Sequence, residues 1–251
     1  MDVWTGIILA AGEGSRLRLY CKLPKPAASI GRFRLLHFPV LSLSIAGVRS
    51  FIIVTRRVLR SFISKAISRL GVSYRVVLND KTWRENGYSL YLGARLCEDD
   101  YFFVSMSDHI YPPSVPKKLL KDMDEDTDIL VAADTNPQYV NVGEATKILA
   151  MGGFVLRIGK SIARYNYVDA GLFIMSRRII PLLERMVARM DIIRVSDIVN
   201  MAVANGYVVR VSDITGMPWI DVDTPEDVNR VLYGEAVSLV RMLLKEAGGP
   251  I

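Results

Sequence analysis

The stretch LAAGEGSRLRLYCKLPK, from Leu9 to Lys25, decides the fold class of this chain and contains its first candidate site. The apolar run from Thr5 to Ala10 predicts a short strand that is buried on both faces of a parallel sheet. Gly12 and Gly14 follow at once and predict a tight turn, in which backbone N–H groups can approach an anion closely. The predicted phosphate-binding loop consists of Leu9, Ala10, Ala11, Gly12, Glu13 and Gly14.

Two basic side chains, Arg16 and Lys25, belong to the same stretch and suit a triphosphate better than a neutral ligand. We predict both as catalytic residues. The loop lacks the third glycine of GxGxxG, and the chain has no GxxxxGK[ST], so a dinucleotide dehydrogenase and a P-loop ATPase are disfavoured. An ordinary strand–helix connection with surface basic residues is the alternative interpretation of the glycines alone.

The longer pattern LAAGxGxRL, followed by PKP at Pro24 to Pro26, resembles the signature of sugar-phosphate nucleotidyltransferases. The resemblance implies an α/β, Rossmann-like nucleotidyltransferase fold. Such a fold has a mostly parallel central sheet flanked by helices, and its substrates bind at the carboxyl edge of the sheet.

Hydrophobic patterning supports this architecture. Apolar strand candidates alternate with helical patterns up to about residue 135, as expected for βαβ units, with helices predicted at 35–46 and 58–70. From residue 136 the pattern changes, and Gly152-Gly153 between two apolar runs predicts a hairpin, followed later by a strand at 207–211. We interpret residues 1–251 as one domain with a nucleotide-binding part (1–135) and a smaller β-hairpin lobe for the acceptor (136–251).

Composition excludes several function classes. The net charge of +6 comes from scattered Arg and Lys without a basic block, which argues against nucleic acid. A small anionic substrate, or weak attraction to an anionic membrane surface, explains the charge more simply. The chain's two cysteines show no metal-binding spacing, so a reducing, cytoplasmic location is expected. No run of about 18 apolar residues occurs, so we expect a soluble protein.

Aspartates that follow predicted strands are candidates for a magnesium site. Asp108 comes after a buried strand, where a carboxylate suits Mg²⁺ and where turn formation is the structural alternative. In WIDVDTPED we expect Asp221 and Asp223 to face opposite sides, so that only one of them binds the metal. The resemblance favours Asp223, while a helix N-cap explains only the residues from Thr224 onward.

The segment Asn86-Gly87-Tyr88-Ser89-Leu90 is a candidate base clamp, because Asn86, Gly87 and Ser89 offer polar groups to a base edge. A helix cap explains the same residues equally well. Together with MSDH and VDAGLF, the segment resembles cytidylyltransferases that act on small alcohol phosphates, notably inositol 1-phosphate. That resemblance implies nucleotide binding by these three residues.

Acceptor candidates lie in the second part of the chain. Lys147 could neutralise an acceptor phosphate, and Asn166 and Asp169, followed by Gly171, could bind the hydroxyls of a polyol. Alternatively, Lys147 is a solvated surface lysine, and Asp169 has only a structural role in a turn. A Ser-His-Asp triad is not indicated, because neither His37 nor His109 has an evident nucleophile beside it.

The expected activity is Mg²⁺-dependent transfer of a cytidylyl group from CTP to a small phosphorylated polyol, inositol 1-phosphate. Alternatives are a nucleotidyltransferase for a sugar 1-phosphate or choline phosphate, and a non-catalytic nucleotide-binding regulator. In the resembled enzymes a membrane phosphotransferase uses the product, and we expect any such partner here to be a separate protein.

Overall fold

A computed structural model describes residues 5–12, 14, 16–17 and 24–247 of the chain. Within these residues one large sheet lies between two layers of helices. The strands are β1 (Thr5–Ala10), β2 (Ser29–Ile30), β3 (Phe33–Arg34), β4 (Ser50–Thr55), β5 (Ser73–Leu78), β6 (Tyr101–Met106), β7 (His109–Ile110), β8 (Ile129–Asp134), β9 (Lys147–Met151), β10 (Phe154–Gly159), β11 (Tyr167–Ser176), β12 (Val209–Asp213) and β13 (Ile220–Asp221). The α-helices are α1 (His37–Ile45), α2 (Arg60–Ile67), α3 (Glu85–Ala94), α4 (Ser114–Asp122), α5 (Ile180–Arg189), α6 (Val195–Ala204), α7 (Pro225–Leu232) and α8 (Val237–Glu246).

The nucleotide-binding part contains the predicted parallel sheet, in the order β5-β4-β1-β6. Every residue of β1 is buried, because the two faces of the strand contact different cores. Ile7 and Leu9 pack with α3, whereas Ile8 and Ala10 pack with α1 and α2. This alternation explains why the apolar run of the sequence has no polar side.

The second part of the sheet is largely antiparallel. β11 pairs antiparallel with both β6 and β8, and the order continues β8-β12-β10-β9 with one further parallel ladder between β8 and β12. The first residues of β11, Tyr167 and Val168, also pair with β9. The strands β11, β8, β12, β10 and β9 therefore form a closed ring that shares β11 with the main sheet.

Most predicted elements occur, and the differences are local. The hairpin at Gly152-Gly153 is confirmed, with both glycines at positive φ (58° and 84°) between β9 and β10. The helix predicted at 35–46 begins at His37, so Pro39 occupies its first turn, where no intrahelical N–H bond is lost. The helix predicted at 58–70 is divided, with α2 between two 3₁₀ turns, and β12 begins two residues later than predicted.

No helix of the described part of the chain is both long enough and apolar enough to cross a bilayer. A smaller core, under the carboxyl edge of the sheet, joins Leu17 and Phe38 to α7 and α8. This core supports the segment that carries Asp221 and Asp223.

Candidate active site

A cleft of about 1050 Å³ opens at the carboxyl edge of β1 and β6. Its walls come from both parts of the chain, because Arg16 and Asp108 line one side and Asp169 and Gly171 line another. The position agrees with the predicted site, since ligands of open α/β sheets bind beyond the carboxyl ends of the strands.

The glycine loop brings Lys25 close to the end of β1. Gly14 has φ +57°, and a Cβ at this position would overlap the Cβ of Lys25. A Cβ at Gly12 would meet no atom within 4 Å, so this backbone is open to a ligand. Leu9, Ala10 and Ala11 are buried at the end of the strand and its exit. Glu13 of the predicted loop lies outside the described residues.

The predicted cations and the predicted metal ligands contact each other. The Lys25 ammonium lies 2.6 Å from Asp108 Oδ2 and also pairs with Asp223. Arg16 bonds Asp223 through Nη2 at 2.8 Å and Glu144 through Nη1 at 2.6 Å. A triphosphate with a divalent ion supplies both signs of charge: phosphate oxygens can take the place of the carboxylates beside Lys25 and Arg16, and the ion can take the place of the cations beside Asp108 and Asp223.

A short two-stranded pairing explains why Asp108 and Asp223 meet although they are far apart in the sequence. β7 and β13 pair antiparallel, with His109 opposite Asp221, and Val222 N–H donates to the carbonyl of Asp108 at 2.9 Å. Beyond β13, Thr224 and Asp227 form a capping box for α7. The N-cap interpretation of the TPED residues is therefore correct, and it fixes the backbone that carries Asp223.

The expectation that Asp221 and Asp223 face opposite sides is wrong. Residues two apart in extended chain share a face, and both aspartates line the cleft. Asp223 is the one that contacts Lys25 and Arg16.

Charge and stacking fix the state of Asp108 and the position of His109. Burial alone would raise the pKa of Asp108, but Lys25 and the hydrogen bond from His109 Nδ1 (2.7 Å) hold it well below its usual range. The same hydrogen bond raises the pKa of His109 against the opposing effect of burial. The His109 ring stacks on the Trp219 ring, with 5.9 Å between the ring centroids. The Trp219 indole N–H donates a hydrogen bond to buried Asp134.

These carboxylates fit the chemistry of a magnesium ion. Asp108 and Asp223 converge on one ammonium, so two carboxyl groups already face a common point. Among the described residues no cluster of three His, Cys, Asp or Glu side chains could hold a metal by itself. Magnesium bound here would complete its shell with phosphate oxygens and water, as it commonly does.

The candidate base clamp is tied to the loop before α6. Asn86 Oδ1 accepts from Val195 N–H (3.0 Å), and Gly87 N–H donates to the Ile193 carbonyl (2.9 Å). Ser89 is buried and bonds Asn79. Of the three predicted residues only Asn86 lines the cleft, so base contacts by Gly87 and Ser89 would require exchange of these bonds.

Two residues that the sequence did not indicate stand beside this clamp. Arg84 is buried, and its guanidinium donates to the carbonyls of Val187 (2.8 Å), Met190 and Asp191 (2.9 Å) at the end of α5. Glu85 has φ 68° and ψ −173°, a region essentially restricted to glycine that costs about 1–3 kcal/mol for other residues. A glutamate gives no sequence signal of positive φ, so this feature was not predictable.

Two acceptor candidates make bonds to backbone groups. The Lys147 ammonium donates to the carbonyls of Gly143 (3.3 Å), Ala145 (3.4 Å) and Lys160 (3.2 Å). The Asn166 amide bonds both backbone groups of Ala150. Neither side chain lines the cleft in this structure, so contact with an acceptor would require these bonds to break.

The other two acceptor candidates do line the cleft, because β11 bulges there. The register of the pairing between β11 and β8 shifts between Asp169 and Phe173, and Gly171 within this bulge has φ +67°. A Cβ on Gly171 would lie 2.6 Å from His109 Nε2, so glycine permits this approach. Burial raises the pKa of Asp169 to about 6, against the Gly171 N–H bond and His109, which lower it.

Comparison with known proteins agrees with this geometry. The sequence profile of a family described as the MobA-like NTP transferase domain matches residues 6–196. The chain belongs to this family. It is therefore a nucleotidyltransferase, and the matched residues include the glycine loop, Lys25 and Asp108.

Other relatives of this NTP transferase carry more specific names. "Bifunctional IPC transferase and DIPP synthase" from Rubrobacter xylanophilus is 37% identical over 88% of this chain and 49% of that protein. Its namesake from Archaeoglobus fulgidus is 35% identical over 92% of this chain and 44% of that protein. The chain spans about half the length of the curated relatives it matches.

Solved structures support the fold over the whole chain. The inositol-1-phosphate CTP transferase from T. maritima superposes with a TM-score of 0.88 and 29% identity, covering 100% of this chain and 99% of that one. A UDP-glucose pyrophosphorylase has a TM-score of 0.78 at 17% identity, covering 94% and 100% of the two chains, which supports the fold alone. The predicted nucleotidyltransferase fold is confirmed.

Proposed function

We propose that this enzyme transfers the cytidylyl group of CTP to inositol 1-phosphate, giving CDP-inositol and pyrophosphate. The observation that carries the proposal is the convergence of Lys25, Asp108 and Asp223 beside the open backbone of Gly12. This cluster suits the triphosphate, and the names of the relatives support the choice of CTP and inositol phosphate.

The reaction needs no protein nucleophile. An oxygen of the acceptor phosphate attacks the α-phosphorus in line, a new P–O bond forms, and the bond to the pyrophosphate oxygen breaks with its electron pair. A phosphomonoester has its second pKa near 6, so the attacking oxygen is already largely ionised at neutral pH and no general base is required.

Each residue of the cluster has a defined task. Lys25 and Arg16 stabilise negative charge on the α-phosphate and on the departing pyrophosphate, as preorganised donors do in other group transfers. Asp108 and Asp223 would hold Mg²⁺, which supplies further charge neutralisation when bound. The cleft aligns the two substrates, which converts an encounter between two anions into a positioned reaction.

A polyol acceptor fits the second wall better than choline phosphate. A quaternary ammonium needs free aromatic faces around it. The Lys147 ammonium nitrogen lies over the Tyr165 ring, 5.7 Å from its centroid, so that face is occupied. Trp219 is buried and stacked on His109. Asp169 instead presents a carboxyl group, which can bond hydroxyls.

A pyrophosphate-release assay with CTP and Mg²⁺ and a panel of phosphorylated acceptors tests this proposal. Inositol 1-phosphate should give the highest kcat/KM. If a hexose 1-phosphate or choline phosphate performed tenfold better, a difference of about 1.4 kcal/mol in transition-state stabilisation, the inositol assignment would be abandoned and the nucleotidyltransferase class retained.

A further inference from the structure

Two adjacent side chains at the start of α3 offer the cleft one hydrogen-bond acceptor and one donor. Glu85 lines the cleft, and within the described part of the chain its carboxylate takes part in no hydrogen bond or ion pair. Asn86 lines the cleft beside it. Val195 N–H is an unambiguous donor to Asn86 Oδ1, so the orientation of the amide is fixed and its Nδ2 is directed elsewhere.

The free Nδ2 group of Asn86 has only a weak partner. It lies 4.0 Å from the sulfur of Met106, and a thioether accepts hydrogen bonds poorly. The pair therefore presents a carboxylate that can only accept and an amino group that can only donate. Such a pair recognises a ligand edge with a donor next to an acceptor.

Cytosine has this edge and uracil has its reverse. The N4 amino group of cytosine donates and the neighbouring N3 accepts, whereas in uracil O4 accepts and N3–H donates. We propose that Glu85 accepts from the N4 amino group and Asn86 donates to N3, so that Glu85 is the residue that separates CTP from UTP. This inference rests on the proposed function, because it takes CTP as the nucleotide donor.

The position of the pair agrees with where the phosphates would lie. Asn86 Nδ2 contacts Met106, and Lys25 contacts Asp108, which is two residues further along the same strand exit. Two residues span at most about 7 Å of chain. The proposed base position at Glu85 and Asn86 and the proposed phosphate position at Lys25 thus lie at the exit of the same strand, β6.

The backbone holds Glu85 in place from the side opposite the cleft. Arg84 is anchored to the carbonyls of Val187, in the last turn of α5, and of Asp191, just beyond it, and its own carbonyl accepts from Ile193 N–H at 3.0 Å. The positive φ of Glu85 allows Arg84 to be buried while Glu85, the next residue, faces the cleft. The anchored backbone thus fixes the point from which the Glu85 side chain enters the cleft.

Adenine offers the same order of donor and acceptor as cytosine. The pair therefore separates amino bases from keto bases. Exclusion of purines depends on the space in the cleft and is a different property of the site.

The test compares Glu85→Gln with the wild type. Glutamine can accept from cytosine or donate to uracil, so the ratio of kcat/KM for CTP over UTP should fall at least ~10-fold, with inositol 1-phosphate and Mg²⁺ held constant. Glu226→Gln is the matched control, because Glu226 also lines the cleft and loses the same charge, but it lies at the start of α7. The control should keep the wild-type ratio.

Binding measured without an acceptor separates this inference from the proposed function. Calorimetric titration of each protein with CTP and then UTP should show the same fall in selectivity in Glu85→Gln. A wild type that selects CTP and a Glu85→Gln variant that keeps this selectivity would overturn the inference. A wild type that binds CTP selectively but transfers nothing to inositol 1-phosphate would overturn the proposed function alone.

A second variant covers the case in which Glu85→Gln folds poorly. Glycine adopts the positive φ without strain, so Glu85→Gly should fold at least as well as the wild type while lacking the carboxylate. Its CTP over UTP ratio should fall to the same extent. Retained selectivity in a folded Glu85→Gly protein would also overturn the inference.

Discussion

The two walls of the cleft hold their polar groups in different ways. On the nucleotide wall, Lys25 and Arg16 are paired with the side chains of Asp108, Asp223 and Glu144. Behind the acceptor wall, which contains Asp169 and Gly171, the side chains of Lys147 and Asn166 do not line the cleft and are bonded to backbone groups. Ion pairs between side chains can be exchanged for a ligand of matching charge, whereas released backbone carbonyls would be left without donors. The ion pairs of the nucleotide wall can therefore be exchanged for a ligand, whereas the polar side chains behind the acceptor wall mainly stabilise the fold.

The largest expected effect is on the nucleotide wall. Lys25→Ala should lower turnover at least ~100-fold while the protein stays folded, because one preorganised donor to the transferred phosphate is lost. The assay is pyrophosphate release, with circular dichroism as the check on folding. Lys117→Ala, at a half-exposed position of α4, is the control. Near-normal pyrophosphate release by folded Lys25→Ala would remove this lysine from the mechanism.

The aspartates of the same wall should give the next largest effect. Asp108→Asn and Asp223→Asn should each lower turnover roughly 10- to 100-fold and shift the Mg²⁺ titration to higher concentration, because an amide is a poorer ligand than a carboxylate. Asp221→Asn should be milder. Although Asp221 lines the same cleft, Lys25 contacts the other two. An inactive Asp221→Asn protein beside an active Asp223→Asn protein would reverse this assignment.

Behind the acceptor wall, Lys147 should contribute mainly to the stability of the fold. Lys147→Met keeps most of the buried stem but removes the donor of three carbonyls, so the free energy of unfolding should fall by about 1–3 kcal/mol. Urea unfolding measures this. We also expect the KM of the acceptor to rise more than that of CTP, because the bonded loops include the cleft residues Ala145 and Lys160. Unchanged stability and unchanged KM would show that both walls are equally free to exchange partners.

The smallest predicted effect concerns the pH dependence of stability at Asp169. Its folded pKa of about 6 lies above the ordinary value of 3.8, so the folded protein binds this proton more tightly than the unfolded chain. Proton binding by Asp169 therefore contributes its full stabilisation below about pH 4, and this contribution is lost as the pH rises through about 6. Asp169→Asn should therefore raise the free energy of unfolding by up to about 3 kcal/mol at pH 7.5 and change it little at pH 4.

Urea unfolding of wild type and variant at the two pH values measures the difference. Asp126→Asn, on an exposed loop, provides the control. If Asp169→Asn raised the free energy of unfolding equally at both pH values, the titration could not be assigned to Asp169.

The sequence predicted those features that depend on local patterns. Alternating apolar runs predicted the parallel half of the sheet, and the paired glycines predicted the hairpin. The meeting of Asp108 with the glycine loop was predictable because the carboxyl ends of parallel strands lie at one edge of the sheet.

Other features depend on contacts between distant segments and have no local signal. Asn86 caps the backbone of Val195, and Gly87 bonds Ile193, so their partners could not be identified from the residues around them. The bond of Lys147 to the Lys160 carbonyl depends on the pairing of β9 with β10, which places Gly159 opposite Lys147. The placement of Asp221 was a different kind of error, since the twofold period of a strand already put it on the same face as Asp223.

The ladder between β6 and β11 fixes the distance between two carboxyl groups of the cleft, those of Asp108 and Asp169. β6 leads into Asp108, and β11 carries Asp169, with Leu172 opposite Ser105. A slip of one residue would move the two carboxyl groups by about 3.3 Å relative to each other and turn every side chain of β11 to the wrong face. Insertions should thus be tolerated in the loops around the cleft but not within these two strands, whose register sets the separation between Asp108 and Asp169.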